Sequence, residues 1–308
     1  MPKSLRRMYH NPVLLKESVD GLAIKENGIY VDVTFGGGGH SKEILKQLGD
    51  NGKLFAFDQD EDAQANVLGD ERFVLISENF RYITQFLKFY GIRKVDGILA
   101  DFGVSSHQFD KAERGFSTRF DADLDMRMSK RIQLSAHDVV NTYSYDDLRN
   151  MFFNYGDLRN ANALAKAITE GREGKGITTT EELKLTLEKF LPDHKRHKIL
   201  AQIYQAIRIE VNQEIAVIAE FLEQVPGLLN AGGRLSVISY HSLEDRLVKR
   251  FIRAGQFKGD PEKDFYGNIS VPLKKVGPLI IPSKEEIAKN NRARSAKLRI
   301  AERLVQEL

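Results

Sequence analysis

The chain carries the sequence Asp32-Val33-Thr34-Phe35-Gly36-Gly37-Gly38-Gly39-His40-Ser41 between an apolar run, 29–35, and a helical pattern, 41–48. Glycine suits such a junction because a side chain would obstruct a backbone that turns close beneath a ligand. Backbone N–H groups at the start of the following helix can donate to an anionic group. The segment therefore predicts a buried strand, a ligand-binding turn and a helix.

The alternation of strand and helix continues beyond this turn. Further strands are predicted at 53–57, 73–76 and 95–100, with helical stretches after Glu61 and at 81–90. Strands that alternate with helices over short connections form parallel βαβ units. This part of the chain therefore predicts a doubly wound parallel sheet.

The alternation then stops, and no buried strand is evident between about residues 108 and 196. Helical patterns occupy 145–155, 160–170 and 180–190 instead. An apolar stripe at helical spacing predicts one long amphipathic helix, which Pro226 should end or kink. The stripe comprises Ile199, Ile203, Ile207, Val211, Ile215, Ile218, Leu222 and Val225.

The α/β pattern resumes after a stop signal at 230–233, Asn-Ala-Gly-Gly. A strand is predicted at 234–239 and a helix at 242–254, followed by a loop rich in glycine and proline and by one or two closing strands. The predicted fold class is α/β, a Rossmann-like sheet with an inserted helical domain. We expect residues 1–107 and 226–308 to form the sheet domain, and residues 108–225 the insertion.

Three further positions at strand ends support a nucleotide site. Asp58 ends the second strand, nineteen residues after Gly39, where an acid can accept hydrogen bonds from ribose hydroxyls. Asn79-Phe80 follows the third strand and offers a ring to adenine, and Asp101 ends the fourth strand. Ligands of open α/β sheets bind outside these carboxyl ends, so the four features are expected to share one crevice.

The glycine pattern favours S-adenosylmethionine over a dinucleotide. A dinucleotide turn usually has a small apolar residue at the position that Ser41 occupies here. S-adenosylmethionine has no pyrophosphate, and Asp32 and Asp101 could meet the charged amino group of its methionine tail. An NAD-dependent oxidoreductase that uses the same crevice stays open as the alternative.

Composition narrows the setting in which the protein works. The 308 residues include no cysteine, which removes disulfides and thiolate metal sites. His194 and His197 lack the companions of a zinc site, so we expect no metal. No apolar stretch is long enough to span a bilayer and the basic start lacks a signal-peptide core, which predicts a cytoplasmic protein without membrane contact. The net charge is only +3, but basic clusters at 193–198 and 289–299 could together follow a phosphate backbone.

Eight blocks, in order, make the chain resemble the small-subunit (16S) ribosomal RNA cytosine-N4 methyltransferase family, also called the MraW or RsmH family. They are residues 10–17 (His-Asn-Pro-Val-Leu-Leu-Lys-Glu), 32–41, 96–108, 113–117, 124–128, 206–212, 239–246 and 292–299. Tyr240 stands where the family usually has Phe, Asn291 stands where Pro is usual, and the stretch before Ile199 is more basic than the family pattern. These departures bear on RNA docking rather than on the cofactor site.

The resemblance implies a class I methyltransferase sheet and S-adenosylmethionine as cofactor. It implies methylation of the N4 amine of a cytidine in the decoding region of 16S ribosomal RNA, within the small ribosomal subunit. The cofactor contacts that it implies are Gly38, Gly39, His40, Asp58, Phe80, Asp101 and Gln108.

The sequence does not assign the catalytic groups. The Asp/Asn-Pro-Pro-aromatic motif of many amino-methyltransferases is absent, and Asp101-Phe102-Gly103-Val104-Ser105-Ser106 occupies its place. Asp101, Asp125 and His241 are candidates, although His241 suits a structural hydrogen bond better than proton transfer. The candidate phosphate-binding residues are Arg114, Arg119, Arg127, Arg292 and Arg294.

Other readings of the same residues stay open. A non-catalytic RNA-binding assembly factor would keep the fold without the transfer, although the intact set of Gly38, Asp58 and Asp101 argues against it. DNA cytosine or protein would be a different methyl acceptor, which only the resemblance disfavours. The oligomeric state is undetermined, a homodimer included.

Overall fold

A computed structural model of the chain describes residues 12–259 and 271–304, which fall into two units. The described residues up to Gly103 and from Ala216 onward make the first unit, and Val104–Ile215 makes the second. The expected boundaries, after residues 107 and 225, lie about four and about ten residues further along the chain. His10 and Asn11 of the first family block, and much of the predicted loop before the closing strands, lie outside the described residues.

The first unit is built on a seven-stranded sheet in the order β3-β2-β1-β4-β5-β7-β6. Neighbours among β1 to β5 pair in parallel, whereas β7 is antiparallel to both β5 and β6. The α/β prediction is confirmed, and both closing strands are present. The strands are β1 (Ile29–Asp32), β2 (Lys53–Phe57), β3 (Phe73–Ile76), β4 (Val95–Asp101), β5 (Leu229–Ser239), β6 (Leu273–Ile280) and β7 (Lys297–Arg303).

Helices connect the strands and form the second unit. None in the described part of the chain is both long and apolar enough to cross a bilayer. They are α1 (Leu15–Asp20), α2 (Gly39–Gln47), α3 (Ile83–Phe89), α4 (Ser106–Asp110), α5 (Ala136–Thr142), α6 (Tyr145–Gly156), α7 (Ala161–Gly171), α8 (Thr180–Thr186), α9 (Arg196–Asn212), α10 (Glu214–Leu228), α11 (Ser242–Ala254) and α12 (Lys284–Lys289).

The central strands are apolar on both faces because both faces are covered. Val31 and Ile98 point into one buried cluster, whereas their chain neighbours Tyr30 and Leu99 point into another. Parallel strands buried on two sides read as continuous apolar runs, which is why the sequence shows them so plainly. Their burial fixes the register that brings the carboxyl ends of the strands to one edge.

The second unit has its own core between α5 and α9. Its helices bury Val139, Leu164 and Ile203 in one cluster, and its only pairing outside named strands, among the described residues, is an isolated bridge between Asp123 and Thr179. The helical patterns predicted at 145–155, 160–170 and 180–190 correspond to α6, α7 and the shorter α8. The prediction that this stretch is helical is confirmed.

The prediction of one long helix was wrong. The chain breaks between α9 and α10 at Gln213, whose φ of 52° is left-handed. The buried side chain of Asn212 explains the break, because its Oδ1 accepts from Met128 N at 2.7 Å and its Nδ2 donates to Met126 O at 2.8 Å. Pro226 lies inside α10 and does not end it, and β5 begins at Leu229, before the predicted strand start.

Candidate active site

The glycine turn leaves the sheet directly after Asp32. The predicted strand to Phe35 was too long, because Phe35 O accepts from Gly38 N at 2.7 Å and closes a turn. Gly38 has a φ of +73°, a left-handed conformation that disfavours side chains, and it precedes the first residue of α2. A Cβ on Gly39 would lie 2.1 Å from Pro12 Cγ, so the turn also packs against the segment before α1.

Asp58 ties the end of β2 to this turn. Its Oδ2 accepts a hydrogen bond from Gly36 N at 2.7 Å, and its Oδ1 accepts one from Asp60 N at 2.8 Å. Burial raises the pKa of Asp58 to about 6, against the lowering effect of these two hydrogen bonds. The carboxylate is therefore held rigidly, and each oxygen retains a lone pair for a further donor.

Asp32 stabilises the glycine turn through hydrogen bonds. The residue is fully buried, its Oδ2 accepts from Ser41 Oγ at 2.7 Å, and its Oδ1 accepts from Thr34 N at 3.1 Å. Burial raises the pKa of Asp32 above its ordinary value. Both oxygens thus accept hydrogen bonds from within the turn, so Asp32 supports the turn, and its suggested contact with the amino group of the cofactor stays a prediction.

Asp101 is held at the end of β4 from three sides. Its backbone N–H donates to Thr34 Oγ1 at 2.7 Å, which joins β4 to the glycine turn. Its Oδ1 accepts from Tyr240 Oη at 2.8 Å, and its Oδ2 lies 3.9 Å from His40 Nδ1. Burial raises the pKa of Asp101 to about 6, although the charge of His40 and the hydrogen bond from Tyr240 both lower it. The glycine turn therefore contacts the carboxyl ends of both β2 and β4.

Phe80 forms an aromatic wall after β3. Its half-buried ring stacks on Phe102 at 5.9 Å between centroids and meets Phe221 edge-on at 5.3 Å. Asn79 Nδ2 donates to Gln59 Oε1 at 2.8 Å, so this wall is joined to the segment that follows Asp58. A flat ring braced in this way can support a planar base.

His241 and Glu244 cap the N-terminus of α11. His241 is the residue before the helix, and its Nε2 lies 3.0 Å from Glu244 Oε1. The other oxygen of Glu244 accepts from Tyr240 N at 2.7 Å. These contacts make His241 the N-cap of α11, which is the structural role that the sequence favoured for it. A role of His241 in proton transfer stays a prediction.

Two candidates belong to the second unit, where the structure shows their local contacts. Gln108 is buried and its Oε1 accepts from Ser105 N at 3.0 Å, which caps α4. Asp125 forms a two-point ion pair with Arg127, with distances of 2.8 and 2.9 Å. Burial raises the pKa of Asp125, but the hydrogen bonds and charge of Arg127 outweigh it and leave the pKa below its ordinary value. A carboxylate held in this way is a weak proton acceptor.

The candidate RNA-binding arginines differ in how much of each side chain is engaged. Arg114 donates to the carbonyl of Arg127 at 2.8 Å, and Arg127 also donates to Ile132 O at 3.1 Å, so both brace their own loop. The side chain of Arg119 is 64% exposed and lies over the Phe120 ring.

In the first unit, Arg292 and Arg294 lie in a short 3₁₀ helix, 291–295, just before β7. Arg294 is exposed and Arg292 is half-buried. Arg119 and Arg294 therefore present the most open guanidinium groups of the five predicted arginines.

The antiparallel β7, inserted between β5 and β6, separates this sheet from the all-parallel dinucleotide-binding folds. Together with a glycine turn that contacts the ends of both β2 and β4, it defines a Rossmann-like class I methyltransferase, whose cofactor is S-adenosylmethionine. The chain belongs to the MraW methylase family, whose model matches residues 7–304.

Relatives in this family cover nearly the whole chain. The ribosomal RNA small subunit methyltransferase H of Flavobacterium johnsoniae is 69% identical over 296 residues, which is 96% of this chain and 98% of the relative. The protein of the same name from Christiangramia forsetii is 67% identical with the same coverage. That from Flavobacterium psychrophilum is 68% identical over 94% of this chain and 100% of its own.

The residues at the strand ends suit this cofactor. The side chain of Asp101 is 22% exposed, and among the described residues no Lys or Arg pairs with it, so its carboxylate could receive an incoming ammonium group. Asp58 has backbone donors on both oxygens and is placed to accept from hydroxyls. The two carboxylates could therefore hold an amino group and ribose hydroxyls.

The raised pKa values of Asp58 and Asp101 define a pH range over which the stability of the fold should change. A buried acid with a raised pKa stabilises the fold fully below its ordinary value of 3.8, and this contribution is lost as the pH rises through about 6. The cofactor-free fold should therefore lose stability across that window. Above it both carboxylates are charged, which is the form that a cationic amino group and ribose donors require.

The affinity for S-adenosylmethionine should be level above about pH 7 and should fall below about pH 6, by about tenfold per pH unit for each carboxylate that must be charged. Isothermal titration at a series of pH values measures this. A dissociation constant that stays unchanged down to about pH 5 would contradict the assignment of the two carboxylates.

Removing the hydroxyl of Tyr240 should shift that window. In Tyr240→Phe, Asp101 loses a hydrogen bond that lowers its pKa, so the midpoint of cofactor binding should rise by about one pH unit. The same titrations measure the midpoint, and Tyr82→Phe, at an exposed tyrosine, is the control. Equal midpoints in both variants would show that Tyr240 does not tune Asp101.

Proposed function

We propose that the protein transfers the methyl group of S-adenosylmethionine to the N4 amine of a cytidine in the decoding region of 16S ribosomal RNA. The observation that carries the proposal is the single glycine turn that contacts both Asp58 and Asp101. The names of the relatives supply the class of substrate, ribosomal RNA of the small subunit. The resemblance of the eight blocks supplies the base and the atom.

Each strand end takes one part of the cofactor in this proposal. Asp58 accepts from the ribose hydroxyls, Asp101 receives the amino group of the methionine tail, and Phe80 lies against the adenine. The backbone at Gly38 and Gly39 approaches the tail, with His40 beside Asp101. Gln108, which the resemblance implies as a further contact, comes from the helical unit.

Methyl transfer requires mainly that the protein position the cofactor and the cytosine amine. The bound cofactor supplies an electrophilic methyl group, and the cytosine amine is a poor nucleophile because its lone pair is delocalised into the ring. The protein must hold the nitrogen in line with the methyl–sulfur bond, and it must accept hydrogen bonds from the amine. Of the candidates, Asp125 is weakened as a base by Arg127 and His241 caps α11, so Asp101 remains the group best placed to orient the reaction, by holding the methionine tail of the cofactor.

The substrate requires more than the cofactor pocket. We propose that the helical domain, expected at 108–225, recognises the RNA, and that the target base is splayed from its stack at a cost of about a few kcal/mol. Phosphate contacts would offset this cost. Arg119 and Arg294 are the most open candidates, and Arg114, Arg127 and Arg292 the more engaged ones. The reaction would take place in the cytoplasm, by a single chain or a homodimer.

Mass spectrometry of ribosomal RNA nucleosides tests this proposal. Small subunits from cells that carry the gene should contain an N4-methylated cytidine that is absent when the gene is deleted. Restoring the gene should restore the modification, and the Asp58→Ala version should not. Identical nucleoside profiles with and without the gene would reject the substrate.

A further inference from the structure

The exposed charged residues of α11 are all basic. Arg246, Lys249 and Arg253 are exposed, and their spacing of three and four residues places them on one side of the helix. The only acids of the helix, Glu244 and Asp245, are buried on the other side. This arrangement makes a cationic strip along α11, defined by those three exposed residues.

The two acids cannot neutralise the strip because each is engaged elsewhere. Asp245 pairs with Arg299 at 2.7 Å and with Lys297 at 3.4 Å, both on β7. Glu244 accepts from the backbone N–H groups that precede the helix. Within the described parts of the chain, no acid forms an ion pair with Arg246, Lys249 or Arg253.

The strip works against the stability of its own helix. Arg250 lies beside the strip and donates to Gly259 O, and no acid among the described residues forms an ion pair with it. Within residues 246–253 of α11, all charged neighbours three or four residues apart are cations, and like charges at that spacing destabilise a helix. An exposed helix normally alternates the two signs of charge, so the strip is better explained by a ligand than by folding.

The strip also begins next to the site. α11 begins two residues after Tyr240, and the hydroxyl of Tyr240 donates to Asp101. At a rise of about 1.5 Å per residue, the strip extends about 10 Å along the helix, so long side chains could contact successive phosphates. An anion carried by the same molecule as the reacting base would lie within its reach.

We propose that Arg246, Lys249 and Arg253 bind consecutive phosphates of the RNA strand that carries the target base. This inference rests on the proposed function for the nature of the anion, a nucleic-acid backbone. Lysine and arginine contacts to phosphate release counterions, so they appear in the salt dependence of binding rather than in sequence preference.

The test compares two triple variants that lose the same charge. One is Arg246→Ser, Lys249→Ser, Arg253→Ser. The control is Lys53→Ser, Lys88→Ser, Arg93→Ser, three exposed cations near the opposite, amino ends of β2 and β4. Binding of the full-length protein to purified 16S ribosomal RNA is measured over a range of salt concentrations, and the affinity for S-adenosylmethionine reports whether each variant keeps its fold.

The plot of log affinity against log salt should be shallower by about two for the α11 variant, and unchanged for the control. The affinity for S-adenosylmethionine should match that of the unaltered protein in both variants. Equal slopes in the two variants would overturn the inference. Methyl incorporation by the unaltered protein is scored separately, so a failure of the proposed function is distinguished from a failure of this surface.

Discussion

Asp58→Ala should weaken the binding of S-adenosylmethionine by about a hundredfold or more. Each hydrogen bond to a charged partner contributes about 1.5–3 kcal/mol, and the variant loses the acceptors that we propose for two ribose hydroxyls. It also releases Gly36 N and Asp60 N, which the carboxylate holds at 2.7 and 2.8 Å. Methyl incorporation into small subunits should fall to background, whereas binding to the RNA persists. Isothermal titration and a filter assay measure the two effects.

Two companion variants separate loss of the contact from loss of the fold. Asp58→Asn keeps one carbonyl acceptor and the shape of the side chain. Its affinity for S-adenosylmethionine should therefore lie between those of the alanine variant and the unaltered protein. Glu61→Ala removes an exposed acid three residues away and should bind the cofactor normally. Normal binding by Asp58→Ala would mean that the end of β2 does not contact the cofactor.

Asp101→Asn should lower kcat/KM for methyl transfer by about a hundredfold, because the variant removes the negative charge that the proposal places opposite the amino group of the methionine tail. The side chain keeps its size, and the Tyr240 hydroxyl can still donate to the amide oxygen. The loss should therefore arise from charge and not from collapse of the site. The fall in cofactor affinity below about pH 6 should also become less steep, since one of two titrating groups is gone.

The matched control for this variant is Asp50→Asn, an exposed acid before β2 at the other edge of the sheet. It should leave both kcat/KM and the pH profile unchanged. If Asp101→Asn retained full activity, the end of β4 would serve only the packing of Thr34 and Tyr240, and the orientation of the reactants would need another group.

Much of the sheet could be predicted from sequence because its strands are buried on both faces. β2, β3 and α11 begin and end where the sequence placed them. The edge that holds the site followed from the rule that ligands bind at the carboxyl ends of parallel strands. Glycines and acids at those ends were therefore recognisable without any knowledge of the contacts between them.

Contacts between distant elements could not be predicted in this way. The apolar spacing runs unbroken past Gln213, so nothing in the pattern indicated that Asn212 would turn inward and end α9. The bond between Tyr240 and Asp101 joins the ends of β5 and β4, which only the folded sheet brings together. Glu244 had a local signal, its position three residues after His241, which is the spacing of a capping box.

The most direct measurement follows a labelled methyl group from donor to acceptor. Purified protein is incubated with S-adenosylmethionine that carries an isotopically heavy methyl group and with small ribosomal subunits from cells that lack the gene. Nucleosides from the recovered RNA are then separated and weighed. Heavy N4-methylcytidine in 16S ribosomal RNA, absent with Asp58→Ala, is the result expected here. Label in another nucleoside, in protein, or nowhere would contradict it.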